Sequence, residues 1–165
     1  DVYKRQSVGI PAALLSSISA TLAGRSVSVH GRKVVVLGML VTISGLIATI
    51  ALIWATEQWG ASEWWMVLSL ALVGGGQGSV ISPNQTLTLA HVPQAYAGSS
   101  GAVLQTGQRI GTAIGLAVIT AIVFATLHGT SADWPLSIIA GFGVILAMCL
   151  ASLGFAVADQ RSSQA

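Results

Sequence analysis

Charge is what this sequence has least of. Of 165 residues, seven are Lys or Arg and five are Asp or Glu, 7% in all, where a soluble domain carries about 25%. None of the twelve falls in 34–56, 64–108, 110–132 or 134–158. Four such stretches cannot be accommodated by a water-soluble fold of this size, but each is long enough to cross a bilayer. Cysteine is nearly absent as well: Cys149 stands alone inside an apolar run, which rules out an internal disulfide. A hydrophobic fraction of 53% and a mean hydropathy of +0.79 exclude a disordered chain. A surplus of two positive charges is too small for a nucleic-acid patch. An initiator methionine is also lacking. DVYKRQ is a charged stub joined abruptly to an apolar segment, so residues 1–6 are expected to be non-native and carry no weight in the topology.

What the chain does have is apolar runs. Taken between charges and turn clusters they give five spans, at about residues 8–23, 34–55, 64–81, 102–127 and 136–157. A polar tail follows at 158–165. The runs do not alternate in hydrophobicity, which excludes the strands of a membrane barrel. The expected fold is therefore an all-α, polytopic membrane bundle. Arg25, Arg32 and Lys33 lie in the first connection, Arg109 adjoins the third, and Arg161 is in the tail. The connections at 56–63 and 128–135 contain Glu57, Glu63 and Asp133 but no Lys or Arg. Positive residues concentrate on the cytoplasmic side, which puts the first and third connections and the C-terminus inside. All five tryptophans (54, 59, 64, 65, 134) fall at the opposite ends of their spans, as an interfacial belt would. The odd number of spans and the short first one lead us to expect the C-terminal piece of a larger bundle.

Three segments depart from plain apolar sequence. The first connection reads Gly24-Arg-Ser-Val-Ser28-Val-His-Gly31-Arg32-Lys33, a tight basic turn of the kind that holds to an anionic leaflet. The third span ends in Gly74-Gly75-Gly76-Gln77-Gly78 and runs into Ser82-Pro83-Asn84. Its small residues permit close helix packing or bending, Pro83 marks a stop or kink, and Gln77 is a hydrogen-bonding group within the membrane. The fourth segment contains Gly107, Gly111 and Gly115 at four-residue intervals, a face that draws in a partner helix. Gln105, Gln108 and Arg109 sit at the boundary of its apolar run, where Arg109 is either an interfacial anchor or a polar group facing a cavity.

These motifs carry a resemblance. The first connection resembles the G-x-x-x-D-R-x-G-R-R/K signature of the major facilitator superfamily, with Gly24, Gly31, Arg32 and Lys33 matching. Ser28 stands where that family has Asp, and Val29 where it has Arg. Val92-Pro93, Ala97-Gly98, Gly101 and Gln108 through Gly115 are similar to a connection and helix of its fourteen-helix drug:proton antiporter branch. The resemblance implies the last five helices of a major facilitator fold in the plasma membrane. It also implies a cytoplasmic gate at the Gly24–Lys33 connection, and alternating access with export of amphipathic compounds in exchange for protons. The partners implied are the bilayer, preceding helices of the same parent chain, a small amphipathic substrate and protons.

No catalytic constellation stands beside these motifs. His30, His91 and His128 occupy separate connections on alternating sides, so they cannot share a metal. No acidic residue is expected inside a span, so a proton-carrying carboxylate would have to lie in helices outside this chain. An enzyme, a cofactor and a metal site are not expected. The alternative reading is a five-helix membrane scaffold or accessory subunit that transports nothing.

Overall fold

The computed structural model describes residues 2–60, 64–90, 92–130 and 133–162, with side chains from residue 10 to residue 158. Nearly all of these residues are helical: α1 (Val2–His30), α2 (Lys33–Trp59), α3 (Trp64–Leu89), a 3₁₀ turn (Gln94–Tyr96), α4 (Ala97–Gly129) and α5 (Trp134–Ser162). All five helices are long and apolar enough to cross a membrane.

Each expected span lies inside an observed helix, and every helix is longer than its span. α2, with 27 residues, is about 40 Å long at 1.5 Å per residue, more than a hydrocarbon core of about 30 Å. The extra turns are polar, because a helix satisfies its own backbone and can continue into the headgroup layer where hydropathy ends. Two expectations are corrected by this. The 24–33 segment is not a ten-residue loop, since α1 runs on to His30 and only Gly31 and Arg32 make the turn. Gly31 takes φ +55°, the left-handed value that favours glycine, and its N–H bonds to the Val27 carbonyl at 2.8 Å. Nor does the third span stop at Pro83, which lies buried inside α3. Residues 2–6, set apart above as a stub, are helical and continuous with α1.

The turn at the other end of α2 uses the same device: Gly60 at φ +64° bonds to the Thr56 carbonyl at 3.0 Å. α5 opens on a capping aspartate, the Asp133 carboxylate accepting the Leu136 N–H at 3.1 Å, with Pro135 in the first turn.

The helices form an arc. α3 is flanked by α1, which runs parallel to it, and by α2, which runs antiparallel; α5 packs on α2, and α4 packs on α5. α3 makes no contact with α5 and only a slight one with α4. The α4 end of the arc is thin. None of the residues of α4 is buried, whereas α2 buries Val35, Thr42, Ile43, Leu46, Thr49 and Ile53.

Candidate cavity wall on α3

The packing of α3 explains its glycines. On one side, a Cβ at Gly74 would run into the Ala12 carbonyl of α1, and one at Gly78 into the Ser16 carbonyl and the Ser19 hydroxyl. On the other side, a Cβ at Gly76 would collide with Thr42 and approach the Gly38 carbonyl of α2. Gly38 and Gly45 of α2 return the fit, each with the space for a Cβ occupied at 2.9 Å, by Ser79 and Val73 respectively. Gly75 meets nothing, but its carbonyl accepts the Ser19 hydroxyl at 2.7 Å. Lower down, Thr49 donates to the Ser69 hydroxyl at 2.9 Å, and Ser69 to the Met66 carbonyl at 3.0 Å. Between membrane helices, where lipid supplies no hydrophobic drive, close approach of small residues and such bonds hold a pair together.

The contacts Gly38–Val80, Thr42–Gly76, Gly45–Val73 and Thr49–Ser69 follow one another in a single antiparallel register. Extended by one turn, that register sets Gln85 opposite Lys33. Gln85 also donates to the Gln108 side chain of α4 at 3.4 Å. Gln108 and Arg109 are therefore level with the start of α2, at the edge of the bundle and not at its middle.

With α1 on one flank and α2 on the other, α3 keeps an uncovered face. Met66, Leu70, Gln77, Asn84 and Thr88 recur at steps of four and seven, which puts them on one stripe of the helix. Met66 and Leu70 line a cavity of about 490 Å³ at one end, shared with Thr49, Ile53 and Glu57 of α2 and with Trp134 and Phe142 of α5. Asn84 and Thr88 line another of about 420 Å³ at the other end, shared with Arg32 of the turn, Val35 and Met39 of α2, and Ser152 and Phe155 of α5. Both open in the gap between α3 and α5 that α2 floors. Gln77 is exposed midway between them and makes no hydrogen bond among the described residues.

α4 turns a polar stripe the same way. Gln105, Gln108, Arg109 and Thr112 line one groove and share a helix face with Ile119 and Val123, which reach Gly141 of α5. By contrast, Gly107, Gly111 and Gly115 meet nothing within 4 Å of where a Cβ would be, so among the described residues no helix packs on them.

The candidate residues thus fall into three groups. Gly74, Gly76, Gly78 and Pro83 are packing positions, and Gly24 joins them, because a Cβ there would sit 3.0 Å from the Ser82 hydroxyl. Gln77, Gln105, Gln108 and Arg109 are exposed side chains on uncovered faces. Ser28, Arg32 and Lys33 flank or form the Gly31 turn, all exposed, with the Ser28 hydroxyl turned back onto the Arg25 carbonyl at 3.0 Å.

Three features went unread in the sequence. Gly38, Thr42, Gly45 and Thr49 of α2 form a small-residue stripe at heptad spacing, a signal open to inspection. Glu57 lies within α2 and lines a cavity, because the helix outlasts its apolar run. Asn84 and Ser152 line the opposite cavity, where only tertiary placement brings them together.

All five tryptophans come together at the Gly60 end of the bundle and are exposed, with Trp54 and Trp59 edge to face at 5.4 Å. Among the described residues no three His, Cys, Asp or Glu side chains could hold a metal.

A family model described as the Major Facilitator Superfamily matches residues 7–164. No curated protein and no solved structure matches the chain.

Proposed function

Because the chain belongs to the major facilitator superfamily of membrane transporters, we propose that it forms the C-terminal part of a proton-coupled exporter of small amphipathic, multidrug-type compounds. It would work by alternating access. The observation that carries this reading is the uncovered stripe of α3: a polar side chain, Gln77, at mid-helix between two cavities, on a face that neither α1 nor α2 covers. A lone amide in lipid has no partner, whereas one lining a water-filled path does. The polar stripe of α4 supports the same interior, as does the mostly apolar lining of the cavity at the Gly60 end, which is typical of sites for small molecules.

In this reading Gln77, Gln105, Gln108 and Arg109 line the substrate path. The Gly24–Lys33 segment acts at the cytoplasmic gate, in the plasma membrane, with the C-terminus inside. The open Gly107, Gly111 and Gly115 face receives helices that precede this segment in the parent chain, and those helices supply the proton-carrying carboxylate. The basic residues at the Gly31 end and the tryptophans at the Gly60 end support this orientation.

Everted vesicles containing the parent protein test the proposal. Loss of ethidium accumulation on collapse of the proton gradient, and on Gln77→Leu, is the expected result. Accumulation that persists without the gradient refutes proton coupling, and full activity of Gln77→Leu removes the stripe from the path.

A further inference from the structure

The cavity at the Gly31 end combines two chemistries. Arg32 comes to it from the turn before α2, Asn84 and Thr88 from α3 and Ser152 from α5, and Met39 and Phe155 are part of its apolar wall. The side chains of Asn84 and Ser152 make no hydrogen bond among the described residues, so their donors are available to a ligand. Arg32 keeps an interaction within the chain, and a guanidinium with five N–H donors can hold that and an anion together. No described acidic side chain lines the cavity. On the α2–α3 wall depth is graded as well: by their register, Thr88 lies beyond the first residue of α2, Asn84 is level with Val34, and Met39 is level with Ser79. That is roughly 10 Å from the helix end to the apolar floor, at 1.5 Å per residue.

A cation and neutral donors, with aliphatic surface beneath them at Met39 and an aromatic wall at Phe155, match a phosphodiester that carries acyl chains. We infer that this cavity binds the headgroup of a membrane phospholipid, anionic by preference, with its phosphate at Arg32 and its first chain carbons against Met39 and Phe155. Free phosphate shares the charged half of this chemistry but has no use for the apolar half. The inference requires that this end lies at a headgroup layer; it does not require that the chain transports anything.

Native mass spectrometry of the 165-residue chain in mild detergent tests it, with phosphatidylglycerol, phosphatidylcholine and inorganic phosphate as probes. One phosphatidylglycerol is retained in preference to phosphatidylcholine, and Arg32→Ala weakens retention about tenfold, the loss of one charge-assisted contact. Ser152→Phe, which fills the cavity, and Asn84→Leu, which removes an amide at similar volume, weaken it too. Should Arg32→Ala fail to fold, these two decide. Arg25→Ala, at the same end but outside the cavity, leaves retention unchanged. The inference is overturned if Arg25→Ala matches Arg32→Ala, since loop charge alone then attracts the lipid. It is also overturned if neither Ser152→Phe nor Asn84→Leu has an effect, or if inorganic phosphate binds as tightly as the lipid.

Discussion

A single methyl group at Gly78 should loosen the α1–α3 pair, and the same methyl at Gly75 should not. Gly78→Ala drives a Cβ into the Ser16 carbonyl and the Ser19 hydroxyl, so the obstacle includes main chain, which cannot rotate away. Gly75→Ala points into open space three residues earlier on the same helix. Both substitutions gain helix propensity, about 1 kcal/mol in aqueous helices, so their difference isolates the packing term. Overfilling a well-packed site costs about 1–3 kcal/mol, which separates the two variants by a factor of about 5 to 150 in the unfolding equilibrium. Reversible unfolding in mixed micelles of mild detergent and dodecyl sulfate, followed by tryptophan fluorescence, measures both. Equal midpoints for Gly78→Ala and Gly75→Ala would refute the claim that α3 is clamped through its glycines.

Three other outcomes follow from the same contacts. Thr49→Val removes the hydroxyl bonded to Ser69 and should cost about 0.6 kcal/mol, the average for such bonds between membrane helices, in the same unfolding assay; no change would place the pair's stability in packing alone. Arg109→Ala in the parent transporter should reduce transport while leaving membrane insertion intact, read by vesicle uptake and surface labelling; poor insertion with normal transport would make Arg109 an anchor. Ser28→Asp restores a charge in the last turns of α1, near the Gly31 turn. It should alter the accessibility of cysteines introduced beside Lys33, and an unchanged labelling rate would deny this segment a gating role.

The number and order of the helices were legible because charge is so scarce: twelve charged residues leave few places for a connection. Their lengths were not, since Arg25 through His30 and Asn84 through Leu89 are polar enough to resemble loops, yet nothing in either stretch breaks a helix. Pro83 shows the limit of reading by residue type. In water it would end a helix, but in a membrane segment neighbouring helices compensate for the lost bond, and here it is buried within α3. Glycine spacing has a complementary limit. The regular four-residue repeat at Gly107, Gly111 and Gly115 marks a face with no neighbour among the described residues, while the less regular Gly38, Gly45, Gly74, Gly76 and Gly78 hold the tightest contacts. Spacing tells which residues share a face; only the fold tells what that face meets. The Gln77 stripe falls under the same rule. Its residues were all visible, but that two cavities share it depends on α5 lying across α2 without touching α3.

The central claim is that the uncovered stripe of α3 faces an aqueous path. Its most direct test is thiol accessibility of Gln77→Cys in a Cys149→Ser background of the parent transporter, with Leu68→Cys as the comparison on an exposed face away from that stripe. A charged, water-borne methanethiosulfonate should modify Gln77→Cys readily and Leu68→Cys hardly at all, and transported substrate should slow the reaction. Modification of the two positions at the same negligible rate would contradict the account, because Gln77 would then face lipid or protein and not water.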